Sequence, residues 1–190
     1  MPVVPTAWVG PCDIWTSGSD AEIVVKPSIS GGGRLTARYG AEERAEAEAH
    51  VRALQSVGQT AMVQDYISSV DTEGELSTIF VAGAFSHAVR KGPLLERGAG
   101  ILDSPWEHDT SWGLATPTAA QLDIAQATVQ AVERRLGQSM TYARVDLVDA
   151  PTGDPLVLEV ELIDPSLSLT LHPNAATDLA SAVARGLERR

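Results

Sequence analysis

A single cysteine, Cys12, occurs in the 190 residues. No intrachain disulfide can form and no thiolate-rich metal site can be assembled, so a reducing, cytoplasmic location is expected. Long apolar runs are missing too: none approaches the roughly 18–20 residues that span a bilayer. The amino-terminal MPVVPTAWVG lacks a basic start followed by an apolar stretch and does not read as a signal peptide. Positive charge is scarce. A net charge of −11 argues against a general binder of nucleic acid or of anionic membranes. Lysine is scarcer still: Lys26 and Lys91 are the only two among 14 cationic side chains. Arginine serves elsewhere as a rigid fork, whereas lysine supplies a compact, mobile point charge.

What is present describes one domain or two small ones, with enough apolar sequence for a real core. The most informative stretch is 140–164, MTYARVDLVDAPTGDPLVLEVELID, which reads as two strands around a Pro–Gly turn. By alternation Arg144 and Asp146 share one face of the first strand, and Val157, Glu159, Glu161 and Ile163 share one face of the second. If these faces meet, three carboxylates and a guanidinium converge. Two readings stay open: a hairpin with one solvated face, or an oxygen-donor site for a hard cation such as Mg²⁺.

Elsewhere the chain mixes strands and helices. Val3, Val4 and Trp8 read as material that packs against something, and the segment reads as a continuation. Residues 12–20 read as a short helix or loop, and Glu22–Lys26 as a strand closed by Pro27. The glycine run in Ser28–Thr36 permits close backbone approach, and its N–H groups suit phosphate oxygens. It is not a Walker loop, and a surface turn is the alternative. A helix is predicted over 41–57 with an Ala47, Val51, Leu54 stripe and a stop at Gly58, followed by a strand at 61–67. A hairpin is expected at 75–81 and 85–91, with Phe85, His87, Val89 and Lys91 sharing a face; His87 reads as a structural histidine. Residues 92–116, with Trp106, His108 and Trp112, lack periodicity and read as a lid or a packed excursion. Thr116-Pro117 opens a second helix to Gly137, lined by Leu122, Ala125, Val129, Val132 and Leu136. A last helix covers 172–187, with a charged, frayed end. The class is α+β, with two subdomains meeting near residue 68.

VVKP at 24–27, SGGG at 30–33, VQDYI at 63–67, EGELSTIFVAG at 73–83, SHAVRK at 86–91, ARVDLV at 143–148 and LEVELIDPSL at 158–167 stand in family order. Together they resemble the ATP-grasp superfamily, most nearly the antibiotic-biosynthesis branch that includes the D-cycloserine-forming ligase. The resemblance implies two α+β subdomains gripping ATP between them: residues 1–67, with the phosphate loop, and residues 68–190, with the magnesium site. It implies a carboxylate–amine ligase, amide-forming or cyclising, that works through an acyl-phosphate. Its substrates would be a small-molecule carboxylate and an amine.

By the same resemblance Lys26 touches the ATP phosphates, and Ser30, Gly31, Gly32 and Gly33 fold over them. Gln64, Asp65, Tyr66 and Ile67 offer a backbone edge to adenine, and Glu75 takes the ribose hydroxyls. Lys91 and Arg90 lie near the transferred phosphate or the substrate carboxylate, with Arg144 beside the metal. Asp146 and Glu159 match magnesium ligands, with Mn²⁺ as an alternative ion, and Glu161 stands where many members place Asn. Ser77 replaces an arginine of the glutathione synthetases, and Arg97-Gly98-Ala99-Gly100 only partly echoes the family's substrate loop. Family members normally begin with another α/β domain that this chain lacks. A partner domain or a homo-oligomer would then complete it; a nucleotide-binding module or fragment without turnover is the alternative.

Overall fold

The computed structural model describes residues 1–18, 20–103 and 112–188. They divide into two compact units. The smaller comprises Val4–Tyr66 and the described part of 93–110; the larger comprises Met1–Val3, Ile67–Gly92 and the described residues beyond 111. A single break at 67/68 would leave each unit continuous in sequence. Instead both are built from more than one stretch, because the connection after Gly92 pairs with residues of the smaller unit: Leu35 N–H donates to Leu102 O at 2.7 Å and Leu102 N–H to Thr36 O at 3.0 Å.

In the smaller unit β1 (Thr6–Val9), β2 (Ile23–Pro27), β3 (Ala37–Tyr39) and β4 (Ala61–Asp65) form an antiparallel sheet in the order β1-β4-β2-β3. A single 3-10 turn, Ala41–Glu43, leads into α1 (Arg44–Ser56). The buried stripe of α1, Ala47, His50, Val51 and Leu54, has helical spacing and covers one sheet face, where Val9, Ile23, Val25, Ala37, Ala61 and Val63 lie. Val51 and Leu54 each contribute about 1.5–3 kcal/mol by this burial. The chain leaves the helix through Gly58 at φ 78°, as the glycine stop requires. The edge strands β1 and β3 are shorter than any alternation could signal.

In the larger unit a short turn of helix, α2 (Val70–Glu73), precedes β5 (Glu75–Val81) and β6 (Ala84–Lys91). Then follow β7 (Trp112–Ala115), α3 (Ala119–Leu136), β8 (Tyr142–Asp149), β9 (Pro155–Glu161) and α4 (Ala175–Glu188). The antiparallel sheet runs β7-β6-β5-β8-β9. Val3 bridges Val157 beside it. β7 lies within the stretch expected to lack regular structure; the expectations for Trp106, His108 and the last two arginines fall outside the described residues.

The helix α3 starts two residues later than its Thr-Pro pair suggests. Thr118 and Gln121 form a reciprocal capping box, Gln121 N–H donating to Thr118 Oγ1 at 3.2 Å and Thr118 N–H to Gln121 Oε1 at 2.9 Å. Its buried face is Gln121, Ile124, Ala125, Thr128 and Val129, and Leu136 is exposed. That face meets Leu76, Phe80, Ala88, Ala143, Val145, Leu147 and Val157. The opposite sheet face holds Ile79 and Val89 beneath Leu167, Leu169, Leu171 and Leu179.

Two register shifts correct the strict alternation. One falls between Ile79 and Phe80, so Phe85 turns to the α3 side and meets Phe80 edge to face, away from His87. The other falls between Asp146 and Leu147, opposite an extra residue at Leu158, so Val157 joins the α3 core while Glu159 and Glu161 stay on the other face. A bulge resets the period-2 pattern by one residue.

Candidate active site

The polar face of the five-stranded sheet gathers a charged cluster because four adjacent strands present their polar residues in register. Glu75 faces Lys91, Asp146 lies between Ser77 and Glu159, and Arg144 lies between Ile79 and Glu161. Lys91 Nζ stands 3.1 Å from Glu75 Oε2 and, reaching diagonally, 3.1 Å from Asp146 Oδ2. Arg144 grips the same carboxylate with two prongs, Nε to Oδ1 at 2.9 Å and Nη2 to Oδ2 at 2.9 Å. Its Nη2 also donates to Glu161 Oε1, and its Nη1 to Ser166 O at 3.2 Å. Asp164 and Ser168 adopt left-handed backbone on either side of Ser166.

Asp146 is 1% exposed and Arg144 7%. Burial alone would push the Asp146 carboxyl up, but the Lys91 and Arg144 charges outweigh it and hold it below the usual aspartate range. Burial opposes the charge of Lys91 as well, and Asp146 and Glu75 overcome that and raise it. Glu161 is raised by burial; Arg144 opposes this, and the Glu159 and Asp146 charges reinforce it.

Four carboxylates surround two cations here, so the cluster carries two negative charges in excess. Asp146, Glu159 and Glu161 each bring one oxygen within 4.8 Å of the others'. An oxygen triad with surplus negative charge is the donor chemistry of a hard divalent cation. This favours the cation-site reading over a merely solvated face.

Arg90 does not join the cluster. Neighbouring residues of a strand point to opposite faces, and Arg90 donates from Nη1 to Glu73 O at 2.9 Å. His87 is buried, with Nε2 3.0 Å from Leu167 O and Nδ1 3.0 Å from the Ser86 hydroxyl, and it stacks on His172. It ties the 164–172 segment to the sheet.

The smaller unit holds the other candidates. Lys26 sits on β2 opposite Met62, on the face away from α1, and its ammonium has no hydrogen-bond or ion-pair partner among the described residues. Ser30–Gly32 form an exposed loop between β2 and β3. Ser30 Oγ donates to Arg34 O at 2.7 Å, and Gly32 and Gly33 take φ of 63° and 75°. A Cβ on Gly33 would lie 2.6 Å from Leu94 Cδ2.

Gln64 is enclosed in the sheet, flanked by Thr6 and Val24, with its Nε2 bonded to Thr6 Oγ1 at 2.9 Å. Its backbone is therefore not a free edge. Asp65 lies beyond the end of β1, Tyr66 N–H donates to Glu22 O at 2.9 Å, and Ile67 begins the larger unit. The Arg38 guanidinium lies 3.5 Å over the Tyr66 ring.

Three further residues bear on the cluster, two of them not legible from residue type. The Ser166 carbonyl has no side-chain signal, and Trp112, 5.7 Å from Lys91 Nζ, stands in an aperiodic stretch. Gly74 carries a usable signal, a glycine directly before a polar strand end.

No protein-family model matches the chain. The cycloserine biosynthesis protein DcsG of Streptomyces lavendulae is 32% identical over 99% of this chain, a match that spans 66% of that protein. The crystal structure of the D-cycloserine synthetase DcsG matches 98% of this chain with a TM-score of 0.87 and 33% identity, covering 65% of that chain. D-alanine–D-alanine ligase from Bacillus anthracis, solved with ATP, shares the fold at a TM-score of 0.67 and 15% identity, over 97% of this chain and 60% of its own. The ATP-grasp ligase PsnB, solved with a minimal precursor, Mg and ADP, shares it at 0.58 and 13%, over 97% and 54%.

Two antiparallel sheets, each backed by helices, with the acidic face on the larger, define an α+β protein of the ATP-grasp architecture. The chain belongs to the ATP-grasp superfamily and is similar to the D-cycloserine synthetase. It spans just under two thirds of the length of that relative.

Proposed function

We propose that this chain is the ATP- and magnesium-binding portion of an ATP-dependent carboxylate–amine ligase. The observation that carries the reading is the Asp146, Glu159 and Glu161 oxygen triad set beside Lys91 and Arg144. These three carboxylates would hold Mg²⁺, or Mn²⁺ in its place. Bound there, the ion would supply positive charge to neutralise phosphate oxygens.

The chain's own residues supply the rest. Lys26, whose ammonium has no partner among the described residues, gives a mobile positive charge for ATP phosphates, and the N–H groups of Gly31, Gly32 and Gly33 suit phosphate oxygens. Asp65, Tyr66 and Ile67 offer backbone to adenine. Glu75 is the ribose candidate, although here its carboxylate holds Lys91. Lys91 and Arg144 would stabilise negative charge as a substrate carboxylate attacks the γ-phosphorus. ADP would leave as the acyl-phosphate forms; an amine, in the same molecule or another, would then attack the acyl carbon, expel inorganic phosphate and give up a proton to leave the amide. Arg90, which lies on the other face of β6 and donates to Glu73 O, is given no role in this reading.

Calorimetry with Mg·ATP tests the nucleotide site, and phosphate release with candidate amino-acid substrates tests turnover. Well-folded protein that binds no Mg·ATP refutes the reading. A second reading is a nucleotide-binding module that works with a separate substrate domain. Tight Mg·ATP binding with no phosphate release for any substrate would select it.

A further inference from the structure

In the described cluster an ammonium group already occupies a place on the carboxylate that a metal would need. Asp146 offers about four lone-pair directions. Arg144 Nε takes one on Oδ1 at 2.9 Å, and Arg144 Nη2 and Lys91 Nζ share Oδ2 at 2.9 and 3.1 Å. Both directions on Oδ2 are thereby filled, so a divalent ion that binds Asp146 through Oδ2 competes with one of these two cations.

The two are not equally free to leave. Arg144 is a planar fork fixed at the same time by Asp146, Glu161 and the Ser166 carbonyl. Lys91 is a point charge on a flexible stem, and its second partner, Glu75 Oε2 at 3.1 Å, can keep it when Asp146 lets go. The Lys91 side chain is 14% exposed and that of Asp146 2%, so without this ammonium the carboxylate would be left with a single cationic partner.

We propose that Lys91 is a resident counter-ion of the metal-free site, which a divalent cation displaces from Asp146 and thereby frees to meet an incoming anionic group. This inference rests on the magnesium reading of Asp146, Glu159 and Glu161. It assigns Lys91 an additional role, that of keeping the ligand set assembled and neutralised before the ion arrives. Divalent-ion binding and the availability of Lys91 then become a single event.

The test uses the nucleotide-free protein. Mn²⁺ binding is followed by electron paramagnetic resonance for the wild type, Lys91→Met and Lys91→Arg. Lys91→Met is expected to bind Mn²⁺ at least about tenfold more tightly than the wild type, because a positive competitor has gone. Lys91→Arg should not gain. Equal or weaker Mn²⁺ binding by folded Lys91→Met, in a protein whose wild type binds Mg·ATP, overturns the proposal and leaves the magnesium reading standing. Failure of the wild type to bind Mg·ATP removes both.

A measurement on the wild type alone covers the case in which Lys91→Met does not fold. With two lysines in the chain, limited amine acylation mapped by mass spectrometry reports Lys91 against Lys26 as an internal reference. Mg²⁺ alone should raise the acylation of Lys91 relative to Lys26 several-fold; an unchanged ratio overturns the proposal.

Discussion

Gly74 gives the sharpest physical forecast. It takes φ 71° and ψ −169°, a region that essentially glycine alone occupies. A Cβ built there would lie 2.0 Å from the carbonyl oxygen of Lys91, a backbone atom that cannot rotate aside. Gly74→Ala therefore carries two costs: about 1–3 kcal/mol for the backbone conformation, and about 1–3 kcal/mol for forcing β5 and β6 apart at the Glu75–Lys91 pair. The total is roughly 2–6 kcal/mol. Gly153→Ala is the control, since Gly153 has φ 85° in the β8–β9 turn with open space where its Cβ would go. It should lose only the conformational part, about 1–2 kcal/mol. Urea unfolding followed by far-ultraviolet circular dichroism measures both. Mg·ATP calorimetry at low urea should show Gly74→Ala weakened and Gly153→Ala unaffected. Equal stability losses, or normal Mg·ATP affinity in Gly74→Ala, would refute the claim that close approach at Gly74 sets the Glu75–Lys91 geometry.

Lys26→Ala should weaken ATP binding by at least about tenfold, the scale of one phosphate ion pair; an unchanged calorimetric affinity would remove Lys26 from the site. Glu159→Gln should lower Mg²⁺-dependent nucleotide affinity while moving stability by less than about 0.5 kcal/mol, because Glu159 is exposed. Normal Mg·ATP affinity in that variant would make the strand face mere surface. Asp146 is lowered in the folded protein, so the stabilisation it contributes is complete above the ordinary aspartate value and disappears as pH falls through that value toward the folded one. Unfolding midpoints measured from pH 6 downward should fall less steeply in Asp146→Asn than in the wild type, and parallel curves would count against this linkage.

Much of the candidate site was legible because strand alternation is local. Arg144 with Asp146, and Glu159 with Glu161, fall on one face by spacing alone, and the structure keeps both pairs together. What alternation cannot register is a bulge. Phe85 and Val157 turn to the α3 side because β6 and β9 each slip against their neighbours, and that slip depends on packing across the sheet. Alternation also puts Lys91 and Arg90 on opposite faces of β6, but it does not tell which face meets Asp146. The strand pairing shows that Lys91 meets Asp146 and Arg90 the Glu73 carbonyl. The short strands β1, β3 and β7 escaped because three or four residues make no pattern of their own; their neighbours define them.

The paired backbone bonds between residues 35–36 and Leu102 bear on how the protein is made. The smaller unit takes its last segment from beyond β6, so during synthesis it cannot be completed until that strand has left the ribosome. Closing such a long chain loop delays the reward for early folding. A fragment ending at residue 67 would carry the glycine-rich loop without the leucines that back Gly33. It is therefore expected to fold incompletely, whereas one running through residue 103 would retain them.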